Sequence, residues 1–401
     1  LQGDVGSGKT DVAFLTLLAA VEDGYQAALM APTEILATQH YLKLVSMSQA
    51  VGIECCLIKG KMRKKEKEEM LQKIQEHDAC IIIGTHALIE DYVSFERCAV
   101  LVVDEQHRFG VMQRISLQGK ATYPHCLFMT ATPIPRSFML TCFGDLDKSI
   151  IDELPPGRIP PTTTIVAPDQ IGYVNSICAQ RLAKGEQVYI VYPLIEESEK
   201  MELKCATEGL ETAQACFPNH NVSLLHGRMK PADKDSTMKE FKEGNSHILV
   251  STTVIEVGVD VPNASVMVVM DAERFGLSQL HQLRGRIGRG NQASSCFLIA
   301  EPKTEVSKKR LAAMVDTSDG FKIAEIDVQI RGPGDMLGTR QSGMPSFQLA
   351  DLIQDESSLL VARKAAKFVL EEDPKLTLEK NKMLKHAIQS PQDTLIGQHL
   401  N

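Results

Sequence analysis

Apolar runs alternate with amphipathic stretches from the start of the chain to about residue 150. Apolar positions recur with helical spacing in three stretches, at residues 10–23, 34–48 and 61–75. Short continuous apolar runs predict buried strands at residues 26–31, 79–84, 99–104 and 125–130. Buried strands that alternate with helices are typical of a parallel sheet covered on both faces. The pattern therefore predicts an α/β domain.

A proline-rich stretch at residues 154–161 predicts a linker, and the alternation restarts after it. Further strands are predicted at residues 162–167, 187–192, 222–226, 247–252, 265–271 and 295–300. Helices are predicted between them at residues 169–184, 203–216, 231–242 and 277–284. This is the pattern of a second parallel α/β domain, similar in size to the first.

The pattern changes after residue 301. Helical spacing returns at residues 308–316, 320–331 and 356–372, and residues 332–338 form a turn-rich break. The end, from Asn381 on, is weakly patterned, which predicts a frayed terminus. We therefore predict three parts, at residues 1–153, 154–302 and 303–401.

Composition narrows the class of protein. Hydrophobic residues make up 43% and charged residues 23% of the 401 positions, which is ordinary for a globular protein. No apolar run has the length of a transmembrane helix, so we expect no membrane partner. Net charge is −8 and no segment is strongly basic, so any nucleic-acid partner must be argued from local motifs. The ten cysteines lack zinc-ligand spacing and predict reduced thiols.

Residues 3–10 read G-D-V-G-S-G-K-T, the pattern of a phosphate-binding loop. Glycines let the backbone turn tightly and direct N–H groups at phosphates, and the helix that follows adds partial positive charge. The predicted nucleotide-binding residues are Gly3, Asp4, Val5, Gly6, Ser7, Gly8, Lys9 and Thr10. Lys9 is expected to reach the β- and γ-phosphates, and the Thr10 hydroxyl to bind Mg²⁺. Such a loop normally follows a strand, so we expect an N-terminal part to be missing from this sequence.

Two carboxylates end the strand predicted at residues 99–104 and supply the second half of a hydrolysis site. Asp104 is expected to be the second Mg²⁺ ligand. Glu105 is placed to orient or deprotonate the attacking water. Together with the loop, these residues predict hydrolysis of a nucleoside triphosphate such as ATP.

The second predicted domain has no phosphate loop, but it carries three arginines in the sequence R-G-R-I-G-R at residues 284–289. A guanidinium matches phosphate oxygens by its fork geometry and stabilises charge in the transition state. We therefore predict that this segment donates positive charge to the γ-phosphate of ATP across a cleft between the two domains.

The chain resembles the superfamily-two helicases over residues 1–300, where their motifs are matched in order by residues 3–10, 31–38, 84–86, 104–107, 130–132, 251–260 and 282–289. A finer resemblance is to the RecG-type ATP-dependent DNA helicases, through residues 104–110, 132–136, 191–195, 271–276 and 327–343. The last segment resembles a translocation motif that this family shares with the transcription–repair coupling factor. The resemblance implies two tandem RecA-like parallel-sheet domains, followed by a helical hairpin and a C-terminal segment.

The resemblance also implies further site residues. His107 would link hydrolysis to movement, together with Thr130 and Thr132. Gly258 and Asp260 would line the nucleotide from the second domain, and Arg286 and Arg289 would be the arginine fingers. Contacts to the DNA backbone would come from Pro32, Thr33, Thr85, His86, Thr252 and Thr253. Singly, each of these threonines is better explained as a helix cap or turn. Arg331, Arg340 and Gln341 would belong to the translocation hairpin.

The function implied is that of an ATP-driven motor which unwinds or regresses branched double-stranded DNA, such as stalled forks and Holliday-type junctions, in recombination and repair. We expect a monomer inside the cell, in the bacterial cytoplasm or nucleoid, or in a chloroplast or mitochondrion of a plant. A single-stranded DNA-binding protein is a candidate partner. Two alternatives stay open at this point: a transcription–repair coupling translocase, and an ATP-binding scaffold without turnover.

Overall fold

The computed structural model describes residues 1–60, 62–76, 80–90, 93, 95, 97–105, 124–130, 147–193, 199–252, 261–288, 290, 292–331 and 356–388. Its internal contacts divide the chain into two units. The first unit holds all the described β-strands and reaches Gly320, and the second holds the described helices from Phe321 onward. In the described ranges, no helix is long and apolar enough to cross a membrane.

The first sheet is parallel and has five strands in the order β3-β4-β2-β5-β6. These strands are β2 (Gln26–Met30), β3 (Cys55–Ile58), β4 (Ile81–Gly84), β5 (Cys98–Val103) and β6 (His125–Phe128). A separate parallel pair joins β1 (Gln2–Gly3) to β7 (Ile150–Ile151). A parallel bridge between Gln2 and Thr130 sets β1 beside the end of β6.

Both faces of this sheet are buried, because alternate residues of each strand enter different apolar clusters. Leu29 and Val102 belong to the cluster under α1 (Lys9–Glu22) and α2 (Glu34–Ser48). Met30 and Val103, the next residue of each strand, belong to the cluster on the other face. The latter cluster also contains Ile74 of α3 (Lys64–Glu76). This two-sided burial explains why the strands are continuous apolar runs in the sequence.

The second sheet is also parallel and has six strands in the order β10-β11-β9-β12-β13-β8. They are β8 (Thr162–Val166), β9 (Gln187–Val191), β10 (Val222–Leu225), β11 (Ile248–Ser251), β12 (Ala264–Val269) and β13 (Ser295–Ile299). Around them lie α4 (Ile171–Leu182), α5 (Glu199–Cys216), α6 (Pro231–Lys242), α7 (Leu277–Arg284) and α8 (Glu305–Asp316).

The described part of the second unit is helical, with α9 (Gly320–Arg331), α10 (Glu356–Glu372) and α11 (Lys382–Ile388). Asp373 closes the turn that follows α10. Its carboxylate accepts hydrogen bonds from the backbone N–H groups of Thr377 and Leu378, both at 2.8 Å, and from the Asn381 amide at 2.9 Å. The helix α11 corrects the prediction of a frayed end for residues 382–388, whereas residues 389–401 lie outside the described residues. The prediction failed because the ordering contacts come from Asp373, outside the local pattern.

The predicted fold class is confirmed: the chain carries two parallel-sheet domains of the RecA-like type followed by helices. Five helices have the bounds that their spacing predicted: α2, α6, α7, α9 and α10. The four-residue strand β3 was missed, because so short a run at a sheet edge gives little periodic signal. The turn of the predicted hairpin, at residues 332–338, lies outside the described residues. The three-part division of the chain stays a prediction.

Parallel pairing has one consequence for function: all carboxyl ends of the strands in a sheet meet at the same edge. In the first sheet this edge carries the phosphate loop after β1, Thr33 after β2, Thr85 after β4, Asp104 after β5 and Thr130 after β6. Ligands of open α/β sheets bind outside the carboxyl ends of the strands. The fold thus gathers at one edge residues that are far apart in the sequence.

Candidate nucleotide site

The phosphate loop has the backbone that its sequence predicts. Gly6 and Gly8 have φ angles of +74° and +94°, in the left-handed region that favours glycine. Helix α1 begins directly after them at Lys9. The Lys9 ammonium folds back over the loop and donates to the carbonyl oxygens of Gly3 and Asp4, both at 2.8 Å. The cation predicted to bind phosphates is therefore held at the loop.

Asp104 is fixed from two sides at the end of β5. Its Oδ2 lies 2.8 Å from Nε2 of His40 on α2, and its Oδ1 accepts the Glu105 N–H at 3.0 Å. Burial raises the pKa of this carboxyl, but the hydrogen bond and charge of His40, with the charge of Lys9, outweigh burial and lower the pKa. Asp104 is therefore held as a carboxylate, the form that binds a divalent cation.

Glu105 has a strained backbone. Its φ angle is +51°, in the left-handed region that non-glycine residues rarely adopt. Strain of this kind costs on the order of 1–3 kcal/mol and persists where the surroundings over-determine it. The strained backbone bends the chain directly after β5, and Glu105 lies beside Asp104 at the carboxyl edge of the sheet.

Thr10 and Asp104 fit a magnesium ion by the chemistry of their oxygens. Mg²⁺ prefers hard oxygen ligands and usually keeps one or two protein ligands, the rest being water and phosphate oxygens. The described residues contain no cluster of three or more His, Cys, Asp or Glu side chains that could hold a metal ion. One hydroxyl and one carboxylate are the kind of ligands that would hold a magnesium ion together with water and nucleotide phosphates.

The second domain contacts the phosphate loop through α7. The Asp4 carboxylate lies 2.5 Å from Nε2 of His281, and its other oxygen accepts the Gly320 N–H at 3.2 Å. Burial raises the pKa of Asp4, but the hydrogen bond from His281 and those from the Val5 and Gly320 N–H groups outweigh burial and lower it. The loop therefore presents an anion to the second domain.

Arg284 orients the His281 ring. Its guanidinium is anchored on the carbonyl oxygens of Met314 at 2.7 Å and Thr317 at 3.0 Å. It also lies 3.1 Å from Nδ1 of His281. A guanidinium only donates, so Nδ1 accepts and the ring proton is on Nε2, facing Asp4. The contact across the two domains is thus a directed hydrogen bond.

Gly285 lets the end of α7 approach the loop closely. A Cβ atom at this position would lie 2.7 Å from Cγ1 of Val5, too close for any side chain. The next residue is Arg286, which is buried. Of the two predicted arginine fingers, the structure thus brings Arg286 to the neighbourhood of the phosphate loop, and Arg289 lies outside the described residues.

Two of the threonines expected to touch DNA cap helices in the structure. Thr33 accepts the Leu36 N–H at 3.3 Å at the start of α2, and Thr85 accepts the Ala87 N–H at 3.5 Å. A hydroxyl that accepts in this way still has its own hydrogen to donate. Thr252 is fully buried at the end of β11, and its hydroxyl has no hydrogen-bond partner within the described ranges.

The remaining predicted residues are placed as follows. Pro32 is half-buried beside Thr33, His86 is exposed and Thr130 is buried. Arg331 ends α9, and its side chain is not described. Outside the described residues lie His107, Thr132, Thr253, Gly258, Asp260, Arg289, Arg340 and Gln341. The functional roles of all these residues stay predictions.

Sequence reasoning missed three residues that structure the site: His40, Arg158 and His281. His40 shares the buried face of α2 with Ala37 and Leu44. A histidine on an apolar stripe was the available signal, because a buried imidazole needs a hydrogen-bond partner. The partners themselves lie 64, 153 and 277 residues away, which no local pattern reveals.

Comparison with known proteins agrees with this geometry. Family models match the chain in three places: DEAD/DEAH box helicase at residues 1–140, helicase conserved C-terminal domain at 170–291, and the C-terminal part of domain 3 of ATP-dependent DNA helicase RecG at 317–397. The first two models define the class, a superfamily-two helicase with two RecA-like domains.

Individual relatives narrow this class. The chain is 50% identical over 398 residues to an ATP-dependent DNA helicase RecG of Synechocystis and 51% identical over 395 residues to that of Streptococcus pneumoniae. A structure of RecG bound to a three-way DNA junction matches with a TM-score of 0.72 at 44% identity, over 90% of this chain and 47% of that one. The chain belongs to the RecG family of helicases.

The match covers almost all of this chain but only part of each relative. It covers 99% and 96% of this chain, but 48% and 59% of the two relatives. The chain thus spans about half the length of the curated relatives it matches. Yeast Dbp5 bound to RNA and ADP BeF3, at 18% identity and a TM-score of 0.57, shows the shared fold alone.

Proposed function

We propose that the chain is the motor of an ATP-dependent DNA helicase that acts on branched DNA in recombination and repair. One observation carries the proposal: α7 of the second domain is bonded to the phosphate loop of the first through His281 and Asp4. A nucleotide in the loop would therefore lie between two domains that already contact each other. Closing and opening of such a cleft is how hydrolysis can move one domain against the other.

Each predicted residue has a chemical task in this proposal. Lys9 binds the β- and γ-phosphates, and Thr10 with Asp104 would hold Mg²⁺, which supplies charge neutralisation on the phosphates when bound. Glu105 orients or deprotonates the attacking water. Arg286 and Arg289 stabilise negative charge that develops on the transferred phosphoryl group. Gly258 and Asp260 line the nucleotide from the second domain.

DNA contacts are proposed at the carboxyl edges of both sheets. Thr33, Thr85 and Thr252 follow strands at these edges, and in this proposal their hydroxyls donate to phosphates without reading bases. With them we place Pro32, His86 and Thr253, and His107, Thr130 and Thr132 link the DNA side to the nucleotide side. Arg331, Arg340 and Gln341 are proposed to pass domain closure on to the duplex. Contacts of this kind suit a motor that must step along any sequence.

The choice of branched DNA rests on the relatives, which are named as RecG helicases, and on the RecG structure bound to a three-way junction. We extend that substrate class to this protein. We also propose that it works as a monomer, with a single-stranded DNA-binding protein as a candidate partner. The proposed compartment is one that holds DNA: a bacterial cytoplasm or nucleoid, or a chloroplast or mitochondrion.

Steady-state hydrolysis measured on the complete protein tests the proposal. ATP turnover is compared without DNA, with linear duplex and with a three-way junction, and unwinding of the junction is followed in parallel. We expect turnover that rises most with the junction, and none in the Lys9→Ala variant. ATP binding without hydrolysis under all conditions would support the scaffold alternative instead. Equal stimulation by duplex and junction, without unwinding, would favour a translocase over a junction helicase.

A further inference from the structure

Arg158 lies in the proline-rich linker, but its side chain contacts the phosphate loop. Residues 152–160 are exposed with Arg158 as the exception. The backbone turns at this point, since Gly157 has a φ angle of +85° and the Arg158 N–H bonds to the Pro155 carbonyl at 3.3 Å. The turn points one long cationic side chain inward while its neighbours stay in solvent.

The Arg158 guanidinium rests on the phosphate loop. Its Nη1 donates to the Val5 carbonyl oxygen at 2.6 Å. A Cβ atom on Gly6, the next residue of the loop, would collide with this guanidinium. The positive φ of Gly6 favours glycine, and the absent side chain leaves the space that the Arg158 guanidinium occupies. The Arg158 side chain thus packs directly on the backbone of the phosphate loop.

Arg158 holds the loop in the same manner as Lys9. Both cations donate to backbone carbonyl oxygens of residues 3–5, Lys9 at 2.8 Å and Arg158 at 2.6 Å. A neutral carbonyl is a weaker partner for a cation than a phosphate oxygen is. A guanidinium also has five donors in a planar fork, so it can bind a phosphate while it keeps a carbonyl. Lys9 is expected to bind the phosphates when a nucleotide enters the loop. The same expectation therefore applies to Arg158, because its chemistry is the same.

We propose that Arg158 is a nucleotide-binding residue that contacts the phosphates of a nucleoside di- or triphosphate in the loop. The inference rests on the proposed ATP-driven function and adds a third source of positive charge to that site. Lys9 comes from the first domain, Arg286 from the second, and Arg158 from the segment that joins them. Because Arg158 already lies on the loop, it acts on binding of the nucleotide and not on the transition state alone.

The test measures nucleotide affinity and turnover in the same variants of the complete protein. Dissociation constants are measured with a fluorescent ADP and with ATPγS for Arg158→Gln and Arg158→Lys, and hydrolysis gives KM and kcat. We expect Arg158→Gln to weaken binding and to raise KM by about tenfold or more, the scale of one charge-assisted hydrogen bond, with kcat changed by about twofold or less. Arg158→Lys keeps the charge but loses the fork, so it should fall between the two.

Arg181→Gln is the matched control. Arg181 is also a half-buried arginine, but it pairs with Glu186, the residue directly before β9. Its substitution should leave the affinity for ADP and ATPγS unchanged. If Arg158 only ties the linker down, Arg158→Gln will lower the melting temperature with unchanged dissociation constants, and the inference is wrong. Loss of affinity for both nucleotides, or for ATPγS alone, supports it and tells which phosphate is contacted.

Failure of this inference is distinct from failure of the proposed function. If the parent protein hydrolyses ATP with DNA, Lys9→Ala does not, and Arg158→Gln binds normally, the motor stands and the assignment of Arg158 falls. If the parent protein binds neither ADP nor ATPγS, both fall together.

Discussion

Asp4 in the phosphate loop and His281 in helix α7 form a hydrogen bond of 2.5 Å between residues 277 positions apart in the chain. Arg284 accounts for its direction, because it occupies Nδ1 and leaves the Nε2 proton for Asp4. Arg286 follows His281 by five positions. The bond therefore joins the loop that binds phosphates to the segment that carries a proposed arginine finger.

Breaking the Asp4–His281 bond should impair turnover more than nucleotide affinity. We expect Asp4→Asn or His281→Leu to lower kcat by about tenfold, since a charge-assisted hydrogen bond contributes about 1.5–3 kcal/mol. The double variant should be little worse than either single one, because both remove the same interaction. ATPase kinetics on the three variants check this. Asp11→Asn, an exposed carboxylate paired with Lys43, serves as the control. Fully additive losses would contradict the pairing.

Glu105 and Lys9 should separate hydrolysis from binding. Lys9→Ala removes the phosphate contact and should abolish both. Glu105→Gln keeps the size of the side chain but not its basicity, so ATP should still bind while turnover drops by about 10²- to 10⁴-fold. Nucleotide titration and ATP hydrolysis on the same preparations check the split. A Glu105→Gln protein that hydrolyses ATP at the parental rate would rule out Glu105 as the base.

Arg286 should act on the transition state. We expect Arg286→Ala to lower kcat by about 10³- to 10⁵-fold, the range known for arginine fingers, with ADP affinity almost unchanged. Because Arg286 is buried, melting temperatures must be measured beside the rates. Arg274→Gln removes an exposed arginine of the same domain and should do nothing. Parental kcat in a folded Arg286→Ala protein would mean that the second domain does not act on ATP through this residue.

His40 should tune the response to magnesium. It fixes Oδ2 of Asp104 and acts through that carboxylate, so it is a positioning residue. We expect His40→Leu to raise the Mg²⁺ concentration needed for half-maximal ATPase by about 10- to 100-fold, the usual cost of losing a residue that orients a ligand. His40→Gln restores a donor and should recover part of this. Lys43→Gln, on the exposed face of the same helix, should leave the magnesium dependence unchanged, whereas a merely destabilised His40→Leu protein would lose kcat at every concentration.

Asp373 should make the C-terminal turn sensitive to acid. Burial acts to raise the pKa of this carboxyl, but hydrogen bonds from Asn381, Thr377 and Leu378 outweigh it and lower the pKa to about 2. A carboxyl with a lowered folded pKa contributes stability above its unfolded pKa near 3.8 and loses it as the pH falls toward 2. Asp373→Asn should therefore show faster amide exchange at Thr377 and Leu378 at neutral pH. Unchanged protection at these amides would contradict the role of the carboxylate.

The fold was largely predictable because both sheets are buried on two faces. Continuous apolar runs such as β5 and β12 stand out in the sequence for that reason. The phosphate loop and the Asp104–Glu105 pair were also visible, since their chemistry depends on adjacent residues. The contacts of His40, Arg158 and His281 were not, because each joins segments whose nearness is created by the fold. The sequence thus predicts the main residues of the site but not the long-range contacts that position them.

Gly285 makes the distance between α7 and the phosphate loop a fixed dimension of the molecule. Because not even one methyl group fits between Gly285 and Val5, the approach of the two domains is limited by the Gly285 backbone and the short, β-branched side chain of Val5. We therefore expect the two domains to have one fully closed arrangement instead of a range of them. The registration of Arg286 against a bound nucleotide would then be the same in every cycle, whatever the sequence of the DNA under the motor.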